Sequence, residues 1–413
     1  MVRIKRNKNS KKRQWTNQTL IIIITLLLMT CVFLGTVFIF TVTVSSDETS
    51  SPIHPDGAKG KSRDELSIQN LRSDWRKIYK EGSKSLRDWK QMGLDKSKNI
   101  SYPGIDEEIA RVLRTARVEV DDETAAQLPK WDDVVAQYGD KPIIHGLETC
   151  ERYREMVQPQ DRMIGPAGIF NTGTNLFFQV MKENCDIKAA AHSTSHKEPR
   201  KNGIRYQVPW GKHNPVTKHR FKNAAQAWGE GIKQDDVMPF VLIKDPYHWM
   251  GSECRHEYLL QWSHDEQHCP NIIDNTIRDR DVPLPVTSKY ALSTEHYSSL
   301  VDVWNSWYNE WEEQTFPKIQ TRFEDLVFHG EEVLRRACEC VGGVFTDNFV
   351  FIERNAKEDL PLNAGANGLV KTLIQYGNSK NRLEGFTDRE VQYAKKNLDE
   401  HLMEKFGYIS PPR

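Results

Sequence analysis

A glycine- and hydroxyl-rich turn lies near the middle of the chain, between an apolar run and an amphipathic stretch. The apolar run covers residues 167–170, the turn 171–175 and the amphipathic stretch 176–181. This order predicts a strand, a tight turn and a helix. Such a turn points backbone N–H groups and the positive end of the helix dipole at one place, so it is a candidate anion site.

The residue types in the turn suit a phosphate. Gly173 lets the backbone approach a ligand closely, and Thr172 and Thr174 supply hydroxyl donors. The G-x-x-x-x-G-K-[ST] pattern of nucleotide hydrolases is absent from the chain. A structural alternative stays open, in which Thr174 or Asn175 caps the helix and the turn binds nothing.

Short apolar runs alternate with helical patterns along the rest of the chain. Strands are predicted over residues 187–191, 204–209, 240–243 and 318–323, and helices over 105–118, 143–157, 288–314, 324–340 and 387–406. The alternation predicts a doubly wound parallel sheet that binds ligands at the carboxyl ends of its strands. Thr387 is the expected N-cap of the last helix. An aromatic stripe, expected to be core, comprises Trp304, Trp307, Tyr308 and Trp311.

A basic cluster and a long uncharged run mark the N-terminus. Seven Lys and Arg residues precede residue 14 with no acid among them, and residues 20–44 carry no charge. About 20 apolar residues cross a hydrocarbon core, and the positive flank stays cytoplasmic. We therefore expect a cytoplasmic tail over 1–19, a transmembrane signal anchor over 20–44, a partly helical stem or spacer over 45–138 and a lumenal catalytic domain over 139–413. A cleaved signal peptide is the alternative.

Cysteine usage fits an oxidising lumen. Six cysteines lie outside the uncharged run, an even number that permits disulfides: Cys150, Cys185, Cys254, Cys269, Cys338 and Cys340. Cys254 and Cys269 are the favoured short-loop pair, whereas Cys338 and Cys340 are too close to be partners. Asn99 begins a glycosylation sequon. The formal net charge of zero gives no reason to expect a nucleic-acid partner.

Two later strand ends carry charged and hydroxyl side chains. The run over 240–243 leads to Lys244, Asp245 and Pro246, and Ser252 follows on the next helix. A cation at a strand end and a hydroxyl one or two helical turns later can share one phosphate. The run over 318–323 leads to Phe-Glu-Asp-Leu at residues 323–326.

These three stretches, in this order, resemble the sulfotransferases that use the sulfate donor PAPS (3′-phosphoadenosine 5′-phosphosulfate). In that family a Lys-[Ser/Thr]-Gly-[Thr/Ser] turn holds the 5′-phosphosulfate. An Arg-Asp-Pro strand end holds the 3′-phosphate with a Ser eight residues on, the spacing of Lys244 and Ser252 here. A Tyr/Phe-Glu-Asp-Leu strand end follows. The resemblance covers roughly residues 160–350 and includes the type II Golgi architecture of the carbohydrate-directed members.

The resemblance implies a three-layer, P-loop-like α/β fold with a parallel sheet flanked by helices. It implies in-line transfer of the sulfuryl group of PAPS to a hydroxyl of a glycan or other lumenal acceptor, with no metal required. The residues that it assigns to PAPS are Asn171, Thr172, Gly173, Thr174, Asn175, Lys244, Ser252 and Lys371. Lys380 and Arg382 are further candidates for contact with the nucleotide or an acidic substrate.

The chain departs from the family at two positions. Asn171 stands where the family has a catalytic Lys, and Lys244 stands where it has Arg. Lys in place of Arg keeps the charge but loses the bidentate geometry. Lys212, after the predicted strand over 204–209, is the candidate replacement for the missing loop cation, ahead of Lys182 on the helix that follows the turn.

An attacking hydroxyl must lose its proton, which calls for a general base. The candidates, in order of preference, are His213, then His192, His196 and Glu324. Glu324 has the alternative role of holding its strand end, and His248 is expected to pack within its helix.

Two other function classes stay open. A Golgi glycosyltransferase has the same topology, and its metal-binding Asp-x-Asp would be Asp279 and Asp281, which lie in a polar loop. A membrane protein that binds PAP (adenosine 3′,5′-bisphosphate) without turnover is the second alternative, because Asn171 replaces the usual loop Lys.

Overall fold

A six-stranded sheet, largely parallel, forms the centre of the fold. The structure is a computed structural model that describes residues 100–187, 200–201, 203–220, 232–256, 258–264, 269–290, 293–352 and 368–411. All of these residues belong to one compact unit. The strands of the chain are β1 (Ile144–His145), β2 (Met163–Ala167), β3 (Cys185–Asp186), β4 (Arg200–Lys201), β5 (Ile204–Arg205), β6 (Val237–Ile243), β7 (Leu260–Gln261), β8 (Val286–Lys289), β9 (Thr294–Tyr297), β10 (Ile319–Arg322) and β11 (Val344–Phe345).

The central sheet has the order β1-β10-β6-β2-β5-β4. Its four inner strands run parallel, and the edge strands β1 and β4 pair antiparallel with their neighbours. Ala167 lies opposite Val241 and Arg322 lies opposite Ile243. The carboxyl ends of β2, β6 and β10 therefore meet at one edge of the sheet, called the carboxyl edge below. Every residue of β6 is buried, as expected of a central parallel strand covered on both faces.

Helices surround the sheet, and two small antiparallel sheets, β11-β3 and β7-β8-β9, complete the strand content of the described residues. The α-helices are α1 (Glu107–Ala116), α2 (Asp122–Ala125), α3 (Trp131–Tyr138), α4 (Cys150–Met156), α5 (Thr174–Asn184), α6 (Val216–Arg220), α7 (Pro246–Arg255), α8 (Leu300–Glu312), α9 (Phe323–Phe328), α10 (Gly330–Cys340), α11 (Leu369–Gly377), α12 (Asp388–Asn397) and α13 (Glu400–Lys405). Short 3₁₀ helices cover Leu147–Thr149, Gln234–Asp236 and Ser379–Asn381. The predicted α/β class is confirmed.

Two helices before residue 139, α1 and α3, belong to the folded core. Ile109 and Leu113 of α1 and Val134 and Tyr138 of α3 are buried in the same apolar cluster as the sheet. The apolar positions of α1 recur every three or four residues, which gives it one buried face. This packing differs from the expectation of a spacer up to residue 138.

Several predicted elements have other bounds in the structure. The first strand ends at Ala167 rather than at residue 170, and the helix predicted over 143–157 begins with β1 and a 3₁₀ turn. The helix predicted over 288–314 is instead the hairpin β8–β9 followed by α8, which Ser299 caps by accepting from the N–H of Asp302. The helix predicted over 387–406 is two helices. Asp399 starts the second as its N-cap, and Thr387 caps the first in a capping box, as predicted.

The cysteines pair as Cys150–Cys340, Cys185–Cys338 and Cys254–Cys269. The predicted short loop is thus present, and Cys338 and Cys340 each bond elsewhere. The aromatic stripe of α8 is buried, as predicted: Trp304, Trp307, Tyr308 and Trp311.

Within the described ranges, no helix is both long enough and apolar enough to cross a membrane. The predicted tail, the signal anchor and most of the stem lie outside those ranges, as do Asn99 of the sequon and residues 188–191 of a predicted strand. His192 and His196 also lie outside them.

A buried ion pair ties the end of β10 to distant parts of the chain. The Arg322 guanidinium donates to both carboxylate oxygens of Asp325, at 2.6 and 2.7 Å, and both side chains are inaccessible to solvent. Arg322 also donates to the carbonyls of Tyr138 and Phe406, and Asp325 accepts from the N–H of Ile143. The pair therefore joins α3, β1 and the C-terminal helices to the sheet.

We expect Asp325→Ala to lower the free energy of unfolding by about 3–5 kcal/mol, because it leaves a buried guanidinium without its counter-ion. Arg335→Ala is the matched control. Its partner Glu331 is four residues away on α10, and both side chains are 39% exposed, so the loss is less than about 1 kcal/mol. Urea unfolding of both variants checks this. Equal losses would contradict the role given to the buried pair.

Candidate functional site

The turn after β2 leads into α5 without a side-chain cap. Its N-cap is Gly173, at φ 82°, and no side chain bonds to the first N–H groups of the helix. Neither Thr174 nor Asn175 is the cap, so the structural alternative does not hold in that form. These N–H groups face the turn with the positive end of the helix dipole. Thr172 is fully buried and its hydroxyl donates to the carbonyl of Ile169 at 2.7 Å, so its proton serves the turn itself.

Glycine is required at residue 173 by close packing as well as by backbone conformation. A Cβ atom there would lie 2.4 Å from a ring carbon of Phe323, the first residue after β10. The ring of Phe323 therefore presses directly on the turn. The Phe-Glu-Asp-Leu stretch and the glycine turn, which lie far apart in the sequence, meet at the carboxyl edge.

Lys244 follows β6 and reaches the same place. Its ammonium donates to the carbonyl of Asn171 at 3.2 Å, to the hydroxyl of Ser252 at 3.0 Å and to the hydroxyl of Tyr376 at 2.6 Å. An ammonium has three N–H donors, so each donor has an acceptor. Lys244 is 2% exposed, and all three acceptors are uncharged. Within the described part of the chain this cation thus has hydrogen bonds but no carboxylate partner.

Tyr376, on α11, is a site residue that sequence reasoning missed. Its ring packs against Phe323 and His248, with ring centroids 5.0 and 4.9 Å apart, and its hydroxyl lies 3.4 Å from that of Ser252. Tyr376 reaches Lys244 from 132 residues away. No local pattern signals such a contact.

Lys212 and His213 lie against the turn and the start of α5. The ammonium of Lys212 donates to the side-chain carbonyl of Asn175 and lies 3.6 Å from the centre of the Tyr206 ring. His213 Nδ1 lies 2.7 Å from the carbonyl of Gly168. Because a carbonyl only accepts hydrogen bonds, Nδ1 carries the hydrogen in neutral His213 and Nε2 carries the lone pair.

Asn171 has a structural position in the turn. Its backbone is left-handed, at φ 57°, a conformation that Asn tolerates better than most residues. Its side-chain amide donates to the carboxylate of Glu253 at 2.7 Å and to the carbonyl of His256 at 2.8 Å. These contacts fasten the turn to the end of α7.

The carboxylates of Glu324 and Asp245 at the carboxyl edge have structural roles. Glu324 accepts from the N–H of Asp245 at 3.1 Å and from the hydroxyl of Tyr408 at 3.1 Å, and it is fully buried. These are the contacts of a residue that holds two strand ends together. Burial raises the pKa of Glu324 to about 7, and the neighbouring carboxylate of Asp245 adds to the shift.

Arg382 is mostly buried and forms an ion pair with Asp245. Its Nε donates to Asp245 at 2.8 Å, and the Asp245 carboxylate also caps the start of α7. Burial alone would raise the pKa of Asp245, but Arg382 holds it below the ordinary value. The guanidinium of Arg382 pairs with Asp245 in this structure, and the expectation that Arg382 contacts a nucleotide or acidic substrate stays a prediction.

Aromatic side chains of α8 fix the backbone at the carboxyl edge. Trp304 donates to the carbonyl of Lys244 at 3.0 Å, Tyr308 to that of Leu242 at 2.9 Å and Trp307 to that of His213 at 3.2 Å. The stripe is thus core, and its polar atoms also position the candidate site.

The remaining candidates make no hydrogen bond to the Lys244 ammonium. Lys371 is exposed at the start of α11. It lies five residues before Tyr376, about 140° around the helix axis from it. Lys182 bonds within α5 to Gln179, and Lys380 is exposed. Asp281 pairs with Arg389 at 2.9 Å.

Comparisons of the chain with protein-family models, with curated proteins and with solved structures find no match. Among the described residues, no group of three or more His, Cys, Asp or Glu side chains is arranged to hold a metal ion.

We expect Gly173→Ala to destabilise the fold by about 3 kcal/mol, since it combines left-handed strain with the clash against Phe323. Gly104→Ala is the matched control, because Gly104 has φ 77° and nothing within 4 Å of an added Cβ. Strain alone costs it about 1 kcal/mol. Chemical denaturation measures both. Losses of the same size would argue against the packing of Phe323 on the turn.

Glu324 should give the protein a specific pH dependence. The folded state keeps its proton up to about pH 7, whereas the unfolded chain releases it near the ordinary value of 4.5. Its contribution to the free energy of unfolding therefore falls as the pH rises from 4.5 to 7, by about 2–3 kcal/mol. Glu324→Gln mimics the neutral carboxyl group, so its stability relative to wild type should rise between pH 5 and pH 8. A constant difference across urea titrations in that range would exclude a raised pKa.

Proposed function

We propose that the chain is a PAPS-dependent sulfotransferase with a three-layer, P-loop-like α/β domain. It moves the sulfuryl group of PAPS to a hydroxyl of a glycan or another lumenal acceptor. The observation that supports this most is the buried ammonium of Lys244, whose three hydrogen-bond acceptors are all uncharged oxygens, beside the uncapped start of α5. A buried cation without a counter-ion is costly, and a bound phosphate supplies the missing negative charge.

The candidate site divides naturally between the two ends of PAPS. Lys244 and Ser252, eight residues apart and 3.0 Å from each other, hold the 3′-phosphate. The turn from Asn171 to Asn175 and the first N–H groups of α5 receive the 5′-phosphosulfate. Asn171 has no charge to offer the sulfuryl group. The nearby ammonium of Lys212, bonded to Asn175, takes that role.

His213 is the proposed general base. Its Nδ1 hydrogen is held by the carbonyl of Gly168, so Nε2 is the basic atom. As the acceptor oxygen bonds to sulfur, the bond from sulfur to the 5′-phosphate oxygen breaks and the acceptor proton passes to Nε2. Cations and N–H groups stabilise the dispersed negative charge of the transferring group, and no metal is required.

The proposed location is the Golgi membrane, with a single-pass type II topology. The support is the sequence alone: the basic tail and the uncharged run over 20–44. The paired cysteines of the described residues are compatible with an oxidising lumen.

PAP binding to the detergent-solubilised full-length chain tests the proposal. At about 100 times its dissociation constant, PAP stabilises the fold by about 2.7 kcal/mol and raises the melting temperature. We expect Lys244→Ala and Ser252→Ala each to remove most of that rise. Lys396→Ala, which removes an exposed lysine of α12, leaves it unchanged and serves as the control.

Two outcomes would overturn the assignment. Stabilisation by a UDP-sugar with manganese, but not by PAP, would favour the glycosyltransferase and its Asp279 and Asp281. Stabilisation by PAP without transfer of labelled sulfate to any of a panel of glycans, lipid-linked sugars and tyrosine peptides would favour the inactive PAP-binding protein.

A further inference from the structure

His248 is a buried imidazole whose ring nitrogens have no hydrogen-bond partner among the described residues. It is 1% exposed, yet neither Nδ1 nor Nε2 bonds to any atom. Buried polar groups in native proteins nearly always have a partner, so such an exception calls for an explanation. The burial of His248 agrees with the expectation that it packs within its helix. Packing alone does not explain why its ring nitrogens have no hydrogen-bond partner.

His248 lies on the face of α7 that carries Ser252, one of the two proposed phosphate ligands. Residues four apart on a helix are neighbours on one face, and His248 and Ser252 are four apart on α7, whereas Lys244 precedes the helix. The Ser252 hydroxyl donates to the carbonyl of His248 at 2.7 Å and accepts from Lys244. Tyr376 covers the group: its ring meets that of His248 edge-on, and its hydroxyl bonds to Lys244. These four residues are called the Lys244 cluster.

The donors of Lys244 and Ser252 are already used, and the hydroxyl of Tyr376 lies 3.4 Å from that of Ser252. All three N–H donors of Lys244 have acceptors, and the single proton of Ser252 is given to the carbonyl of His248. An incoming anion must therefore displace an existing acceptor of Lys244. The uncommitted N–H of His248 needs no such exchange. Burial lowers the pKa of His248 to about 3, so at neutral pH the ring is uncharged and has one donor and one acceptor nitrogen.

We propose that His248 is a ligand-binding residue whose ring N–H donates to the phosphate monoester held by Lys244 and Ser252, the 3′-phosphate of the nucleotide. This inference rests on the proposed function and adds a residue to it. The imidazole contributes hydrogen bonding without charge, beside the one ammonium of the Lys244 cluster. It accounts for a buried histidine that is left without partners until the ligand arrives.

Titration calorimetry with PAP and with 5′-AMP, which lacks the 3′-phosphate, tests the proposal on the full-length chain. His248→Phe keeps an aromatic ring and removes both nitrogens. We expect it to weaken PAP about 10-fold, the loss of one hydrogen bond to a charged group, and to leave 5′-AMP unchanged. His248→Gln restores an N–H donor and recovers most of the PAP affinity. His401→Phe, at an exposed histidine of α13, is the control.

The outcomes separate this inference from the proposed function. Wild type that does not bind PAP overturns both. Two results would overturn only the role of His248, provided that the wild type binds PAP. In the first, His248→Phe binds PAP with the same affinity as the wild type. In the second, its affinities for PAP and for 5′-AMP fall by the same factor. If His248→Phe shows no cooperative melting, His248→Leu and His248→Gln make the same comparison: Leu should weaken PAP and Gln should not.

Discussion

The position of the candidate site depends on the ion pair between Arg322 and Asp325. Arg322 makes four hydrogen bonds, two to the carboxylate of Asp325 and two to carbonyls of distant segments. A buried pair of this kind holds its geometry because breaking it leaves an uncompensated charge in the interior. It fixes the residues that immediately follow β10. Phe323 is thereby set against Gly173, and Glu324 against the N–H of Asp245.

At the carboxyl edge, buried charged residues therefore position the backbone that carries the candidate ligand-binding side chains. Glu324 and Arg382 hold Asp245 between them, and Asp245 starts α7 by capping its first N–H groups. The start of α7 in turn determines where Ser252 meets Lys244. From the other side, α8 donates hydrogen bonds to the backbone carbonyls of Leu242 and Lys244. These hydrogen bonds hold the backbone in place, so the polar side chains of the candidate site keep their positions and lose little conformational entropy when a ligand binds.

Local patterns predict those parts of this arrangement that are local. The uninterrupted apolar run before Lys244 predicts a buried strand, and Thr387 with Glu390 three residues later predicts the start of α12. The prediction of a helix over 288–314 is wrong for the hairpin β8–β9, because the helical spacing of the aromatic residues in α8 does not extend back across the cap at Ser299. Tyr376 and Arg382 reach the site from 132 and 137 residues away. Such contacts follow from the packing of α11 and the chain after it, which no sequence spacing records.

Two buried cations stand at neighbouring strand ends, and the contrast between them argues for a ligand. Arg322 has a carboxylate, as a structural cation should. Lys244 is nearly as buried, but it donates hydrogen bonds only to a carbonyl and two hydroxyls, and the ring nitrogens of the nearby His248 have no partner among the described residues. An unsatisfied buried polar group costs about 1–3 kcal/mol, and an apolar side chain would avoid that cost. Violations of this kind are expected where a site is prepared for a partner that arrives later. A bound anion would give Lys244 a counter-charge and His248 a hydrogen-bond acceptor at once.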